Sequence, residues 1–404
     1  MAYVAVTGGQ EAIEEANRLN QLYRVQGSEM SLAVEWIEKQ LRFLIDRVMG
    51  EGGIYAPEYA AIALKQAEGD PAEAAFLLRA YRSTLPRNHY SLTVEPGEMR
   101  VIRRISSSFR DIPGGQMLGP TNDYTHRMLN FSLREEGDAD MEAFVRAYMD
   151  DVELQPGSLT FQKVADLLRE QGLMKKVEKS DADAEPFDIT RQKLTIPSTR
   201  AARLQALARG ETGAMTALAY SSMRGYGIVH PTIGELRVGY AAVHIAYPYS
   251  DDGDGETEPV YIGELLLTEV ESINSFKQDT ESGEVHFILG YGLCFGQNEL
   301  KGISMAILER SLETKGDAPA QDEEFVLTHI DSVESSGFVS HLKLPHYITF
   351  QSSLDQIRKV QATKQQELSR RKEAPHDADD DGGQTGQTGQ TRETARKNLQ
   401  HAGV

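Results

Sequence analysis

The chain has 404 residues, with 42 Lys and Arg against 61 Asp and Glu, a net charge of −19 and a pI near 5.0. That surplus of carboxylates argues against a general binder of nucleic acid or of an anionic membrane surface, since both demand excess Lys and Arg, and no run approaches the roughly 20 apolar residues of a membrane span. Hydrophobic residues make up 40%, the profile of a folded, water-soluble protein.

The single cysteine, Cys294, excludes an internal disulfide and a cysteine-built zinc or iron–sulfur centre. The N-terminus also lacks the basic and apolar regions of a signal peptide. Together these point to the cytoplasm.

Residues 1–86 read as a helical subdomain. Between 32 and 48 the apolar residues Leu32, Ile37, Leu41, Leu44, Ile45 and Val48 recur at three- to five-residue steps, one face of an amphipathic helix closed by the glycines at 50, 52 and 53. A second helix starts near Pro57 and runs to Glu68. A third follows Asp70 as its cap, with Pro71 at its first position. From 87 to 350 the texture is mixed. Residues 99–105 read as a strand, 132–158 and 173–197 as polar and irregular, and 159–170 as a helix. Helices are expected at 198–209, with Ser198 as cap, and at 212–223.

Strands are expected at 235–248, 258–274 and 284–290, the first two joined by an acidic loop over 250–256, and a helix at 298–313. Residues 351–373 form a polar terminal helix, and 374–404 a Gly/Gln/Thr tail too poor in apolar residues to order. Runs of helices and runs of strands are partly segregated, which defines an α+β fold with antiparallel strands.

Several constellations could carry chemistry. Gly114, Gly115 and Gly119 could expose successive N–H groups as an anion nest, although neither a P-loop nor a Rossmann spacing is present. Asp123 and Arg127 are four apart on an expected helix, with His126 beside them; the plainer reading is a turn with a surface ion pair. Arg100, Arg103, Arg104 and Arg110 form a basic knot that suits phosphate, or a solvated strand face. Arg224-Gly-Tyr-Gly227 and Gly290-Tyr-Gly292 could let backbone approach a ligand, with the ring as a stacking face for a base, or could be tight turns around a tyrosine. His341 and His346 are five apart with Pro345 between them. They could share a zinc or iron only if the chain turns, and two partly exposed histidines flanking a turn is the simpler account. Asp322, Glu323 and Glu324 read as Mg²⁺ ligands or as a helix start, and Cys294 as buried and inert.

Four segments together resemble one family: DIPGGQMLGPTNDYTHR from Asp111, ALAYSSMRGYG from Ala217, PAQDEEFVLTH from Pro319 and SGFVSHLKLPHY from Ser336. The sequence resembles the PhnI subunit of the bacterial carbon–phosphorus lyase system. The likeness runs from YVAV at Tyr3 to about residue 360, more loosely over 132–190, and includes AIALKQA at Ala61 and FLLRAYR at Phe76.

The resemblance implies phosphonate catabolism. In that family an alkylphosphonate displaces adenine from C1′ of MgATP to give α-D-ribose 1-alkylphosphonate 5-triphosphate, and the subunit alone releases purine from ATP or GTP. It implies partners of the PhnG, PhnH, PhnJ, PhnK and PhnL types. It also implies a metal at His341 and His346, zinc or another transition metal, beside the Mg²⁺ of MgATP. Breaking C1′–N9 passes through an oxocarbenium-like state that needs a carboxylate and a general acid. Asp123 and His126 are the catalytic candidates, with Gly114, Gly115, Arg127 and Arg224 as substrate-binding candidates. A non-catalytic scaffold subunit of the same complex is the alternative, and a stand-alone zinc hydrolase is disfavoured for want of a third ligand.

Overall fold

The computed structural model describes residues 9–27, 29–151, 161–175, 186–226, 230–248, 258–279 and 283–373. The tail 374–404, the acidic loop 250–256 and Gly227 lie outside the described residues. The chain divides into two units, Met1–His341 and Leu342–Val404.

The N-terminal layer is helical. Helix α1 (Gln10–Val25) buries none of its residues. The expected single helix over 32–48 is two, α2 (Val34–Gln40) and α3 (Arg42–Gly52), broken where Leu41 leaves the helical region. The break has a packing reason: five-residue steps drift off one face of a straight helix. Re-phasing at Leu41 lets Ile37, Ile45, Val48 and Met49 enter the same core. That core is completed by α4 (Pro57–Gln66) and α5 (Pro71–Arg82). Asp70 caps α5 as expected, accepting from the N–H groups of Ala72 at 2.8 Å and Glu73 at 3.0 Å.

Strands β1 (Arg100–Ile105), β2 (Thr232–Ile245), β3 (Val260–Gln278) and β4 (Val285–Phe295) form an antiparallel sheet in sequence order. Residues 106–231 make a long excursion between β1 and β2. It carries α6 (Asp138–Asp151), α7 (Val164–Glu170), α8 (Arg200–Arg209) and α9 (Thr212–Met223). Helix α6 corrects the irregular reading of 132–158. Met141, Phe144, Val145, Tyr148 and Met149 follow a helical repeat that the surrounding acids obscured, and all five are exposed. The cap of α8 is Thr199 rather than Ser198, whose hydroxyl and N–H both go to the Glu323 carboxylate.

Helix α10 (Glu299–Leu312) packs on one face of the sheet at backbone contact. A Cβ on Gly290 would stand 2.1 Å from the carbonyl oxygen of Ala306, and one on Gly292 2.3 Å from that of Gly302. The Gly-Tyr-Gly at 290–292 is therefore neither a turn nor a ligand loop. Its glycines are the bearing surface for α10, and Tyr291 faces the other side of the strand. Helices α11 (Glu323–His329) and α12 (Ser332–Ser340) close the first unit, and α8 to α11 share a second apolar core. Asp322 caps α11 at 2.9 Å from the Phe325 N–H, so the acidic triplet is a helix start and not a cation site.

In the second unit, α13 (Tyr347–Glu373) begins two residues after Pro345, earlier than the polar pattern suggested, and buries none of its residues. Among the described residues no helix is long and apolar enough to cross a membrane.

Substituting Gly292→Ala should force α10 off β4 and cost about 1–3 kcal/mol, the usual range for overpacking. Urea denaturation would show it as a lower midpoint with an unchanged slope. An unchanged midpoint would mean the helix–sheet contact is looser than described.

Candidate functional site

The site begins with two consecutive arginines on the edge strand. Successive residues of a strand face opposite sides of the sheet. Arg103 and Arg104 are each 0% exposed, which overturns the reading of this knot as a solvated strand face. Arg100 is the exposed member, paired with Glu264 at 3.0 Å. A buried guanidinium is tolerated only when its donors are met, and each of the two collects partners from distant segments.

Arg103 serves the α10 side. Its Nη2 donates to Asp123 Oδ2 at 2.5 Å and to Glu299 Oε2 at 3.0 Å, and its Nη1 to the Leu118 carbonyl. Its Nε lies 2.8 Å from Glu299 Oε1, an ion contact rather than an aligned hydrogen bond.

Residues 111–127 form the strap that brings Asp123 here. Met117 pairs with Arg104 through reciprocal backbone bonds of 2.7 and 2.8 Å. Gly119 lies so close to β1 that a Cβ would stand 2.4 Å from the Ile102 carbonyl oxygen. The Pro120 carbonyl then accepts from Gln297 Nε2 at 2.9 Å. Asp123 and Arg127 are not on a helix. Asn122–Thr125 is a turn and Arg127 has φ 51°, while their ion pair spans 3.7 Å.

The resulting cleft, about 520 Å³, lies between this turn, Arg47 of α3, Thr212 of α9 and the first turn of α10. Asn298 precedes α10 but spends its amide on the carbonyls of Asp46 and Phe295, at 2.9 and 2.6 Å. No side chain caps the helix, so its positive end borders the cleft. Lys301 at the same end is fully buried. Its Nζ has no hydrogen-bond partner among the described residues, and burial lowers its pKa. Burial likewise pushes the nearby Cys294 thiol up to about 12, so it is inert as expected. The cleft thus offers two carboxylates clamped by one buried arginine, a helix N-terminus, and two further arginines that already carry acid partners, Arg47 on Glu51 and Glu211 and Arg127 on Asp123. That set can hold a polyanion beside a carboxylate.

Arg104 serves the opposite side. It pairs with Glu235, takes the carbonyls of Pro113 and Gln162, and lies 5.0 Å from the Phe161 ring. Next to it Arg237 and Lys163 both pair with Glu269, Lys163 also reaches Glu271 at 3.3 Å, and Tyr291 Oη donates to Glu269 at 3.0 Å. Three cations thus meet three carboxylates in a closed layer. Burial alone would raise the pKa of Glu269, but Arg237 and Lys163 outweigh it and hold that pKa below the usual range. Glu271 is shifted the other way, chiefly by burial.

The remaining candidates lie apart. Gly114 and Gly115 both have positive φ, and a Cβ on Gly114 would meet the Phe161 ring at 2.1 Å. They therefore turn the strap on the Arg104 side, while Asp123 lies on the Arg103 side. His126 is exposed and stands next to Arg127 outside the cleft wall. Arg224 follows the C-terminal end of α9, exposed and bonded to Tyr220 Oη at 2.8 Å. Thr212 lines the cleft from the other end of this 12-residue helix, about 18 Å away at 1.5 Å per residue.

His341 caps α12 with its Nδ1 on the Phe338 carbonyl. His346, in the second unit, has its Nδ1 2.7 Å from the Leu344 carbonyl oxygen. An Nδ1–H given to a carbonyl fixes the tautomer whose Nε2 carries the lone pair, the arrangement that suits an imidazole ligand. Among the described residues no group of three or more His, Cys, Asp or Glu could hold a metal.

Sequence reasoning missed Glu299, Arg47 and Lys301. Only the Asn-Glu pair opening an apolar-periodic helix marked the first of them.

Sheet, helical layer and arginine-clamped cleft together define an α+β protein whose charged groups are gathered around one edge strand. Comparison with known families places it among bacterial proteins of phosphonate metabolism. The chain belongs to the PhnI family, whose model matches residues 2–364. It is 47% identical over 365 residues to the α-D-ribose 1-methylphosphonate 5-triphosphate synthase subunit PhnI of Escherichia coli strain K12, covering 89% of this chain and 98% of that one. The protein of the same name from Rhizobium meliloti strain 1021 is 42% identical over 364 residues, covering 89% and 94%. HtxH of Stutzerimonas stutzeri, described as a C-P lyase subunit protein, is 48% identical over 370 residues, covering 89% and 96%.

Glu269→Gln should strip Arg237 of its buried counter-charge and cost about 3–5 kcal/mol at pH 7. A folded pKa held below the unfolded one stabilises above the unfolded value and stops doing so as pH falls through the folded one. The gap between wild type and variant, measured by denaturant unfolding, should therefore narrow from pH 7 toward acid. A gap that stays constant with pH would mean that Glu269 acts through packing alone.

Proposed function

We propose that this chain is the subunit of a cytoplasmic C–P lyase assembly that displaces adenine from C1′ of MgATP with an alkylphosphonate. The product is α-D-ribose 1-alkylphosphonate 5-triphosphate, and alone the chain releases purine from ATP or GTP. The observation that carries this reading is the synthase-subunit name of two relatives that match 89% of the chain at 42% and 47% identity. The single, buried Cys294 accords with a reducing compartment.

In the reaction a phosphonate oxygen forms a bond to C1′ as C1′–N9 breaks, and the purine departs with the bonding pair and takes up a proton. Asp123, clamped by Arg103 at the cleft, faces the positive charge that develops on the sugar. Arg127, Arg47 and the N-terminal end of α10 suit the triphosphate. His126, three residues from Asp123 in the strap, is the candidate acid for the purine. Mg²⁺ enters with the nucleotide and neutralises phosphate charge. Gly114, Gly115 and Arg224 do not line this cleft and are substrate-binding candidates for a part of the substrates beyond it.

His341 and His346 would hold a transition metal such as zinc, with further ligands from substrate or a sister chain. Such an ion supplies Lewis-acid polarisation of a phosphonate or phosphate oxygen. Sister subunits are of the PhnG, PhnH, PhnJ, PhnK and PhnL types. One observation favours the scaffold reading: α6 and the start of α13 expose large apolar residues, among them Phe144 at 69%, Tyr148 at 60% and Ile348 at 90%, surface that a partner would cover.

Purine release from MgATP, followed chromatographically, separates the two. Asp123→Asn should lower it at least about 100-fold, the low end for loss of an acid–base group or charge stabiliser, with unfolding behaviour near that of wild type. Equal release from both proteins removes Asp123 from the chemistry, and release from neither favours the scaffold.

A further inference from the structure

We propose that a pocket at the C-terminal ends of α9 and α10 binds a purine base, with Tyr226 as its stacking face and the Asn274 carboxamide reading its hydrogen-bonding edge. At about 16 Å along α10 from the Asp123 cleft, the pocket is too far to hold the base of a nucleotide whose C1′ faces Asp123. It is therefore a second site, for free purine such as the released base. The choice of a purine rests on the reading above, and the pocket itself does not. The pocket, about 320 Å³, lies at the other end of the helix pair from the Asp123 cleft. Its wall includes Tyr226, Asn274, Ser275, Arg310, Thr314 and Gln321.

Three independent features converge there. Asn274 sits at an irregularity of the β3–β4 ladder, where Ile273 opposes Leu289 but Ser275 opposes Ile288, so Asn274 is the extra residue of a bulge. Bulges re-aim side chains and cluster near functional sites.

The carboxamide is also unspent. Both Asn274 Nδ2 and Oδ1 are shielded from water, and neither has a hydrogen-bond partner among the described residues. The same holds for Ser272 Oγ and Arg310 Nε. Buried amides are nearly always bonded, so one with neither end used calls for an explanation. Gly290 gives this amide its room, since a Cβ there would stand 2.9 Å from Nδ2 and 2.7 Å from Ser272 Oγ. A ligand would have no existing hydrogen bond of this amide to displace. A carboxamide pairs a donor and an acceptor side by side, the complement of the N6/N7 edge of adenine.

The third feature is the ring. The chain leaves α9 at Arg224, and Gly225, at φ 132°, turns it so that the Tyr226 N–H bonds back to the Ser221 carbonyl at 3.3 Å. Tyr226 is left 65% exposed at the rim, and an aromatic face stacks on any base.

The test is calorimetric titration of the full chain with adenine, and with guanine as second probe, alongside purine release from MgATP by the same preparations. Wild type should bind adenine. Asn274→Ala and Tyr226→Ala should each weaken binding at least tenfold, while Asp123→Asn binds adenine as wild type does. Asn274→Ala removes an unpaired buried amide, so its Tm should not fall, which separates lost recognition from lost folding. Wild-type binding of neither base, or undiminished binding by both pocket variants, overturns the proposal. If no preparation releases purine but adenine binding is lost only in the pocket variants, the catalytic reading fails and the pocket stands. If Asp123→Asn alone abolishes release while the pocket variants bind adenine normally, the pocket fails and the catalytic reading stands.

Discussion

Two full charges side by side on an edge strand, neither touching water, are the constraint around which this protein is arranged. Leaving one buried ion unpaired costs several kcal/mol, so Arg103 and Arg104 can be buried only if the chain delivers oxygen atoms to both faces of β1. It does so from afar. Glu299 lies 196 residues from Arg103, and Glu235 lies 131 from Arg104. The Gln162 carbonyl also serves Arg104, and the strap 111–127 supplies the rest, Pro113 to one guanidinium and Leu118 and Asp123 to the other. The excursion between β1 and β2 is thereby tied down at its start, and the open cleft and the closed charge layer are two sides of one requirement.

The closed layer and the open cleft differ in what their charges can do. In the layer, Arg104, Arg237 and Lys163 face Glu235, Glu269 and Glu271, and two of the acids shift in opposite directions, Glu269 held down by Arg237 and Lys163 and Glu271 pushed up chiefly by burial. In the cleft the same chemistry is left half solvated, with Asp123 nearly half exposed and Glu299 partly so. A carboxylate anchored at one oxygen and reachable at the other is positioned without being consumed.

Much of the fold could be read from local rules. Asp70-Pro71 marks the cap and first turn of α5, residues 212–223 match α9 to the residue, and the strands expected at 235–248 and 258–274 are present but offset, at 232–245 and 260–278. What escaped was non-local. Charge on a strand reads as exposure because the partners that make burial possible lie more than a hundred residues away, so the arginine knot looked like surface. Likewise Gly290 and Gly292 looked like ligand or turn glycines, because the helix they support follows only at 299. The break at Leu41 was foreshadowed by five-residue steps, and α6 by its apolar repeat. Asp123 and Arg127 were paired as expected, but across a turn, because Gly119 and Pro120 leave the strap too tightly held to wind into a helix.

The backbone contact between α10 and β4 has a mechanical side. A helix resting on glycines has no side-chain cushion to slide over, so α10 and the sheet behave as one rigid strut. Glu299 at the cleft and Arg310 at the pocket are eleven residues apart, just over three whole turns, which puts them on one face about 16 Å apart. The helix therefore works as a gauge. Adding or removing one residue between them would swing one cavity about 100° around the axis from the other, while substitutions along its outer face would leave the spacing untouched.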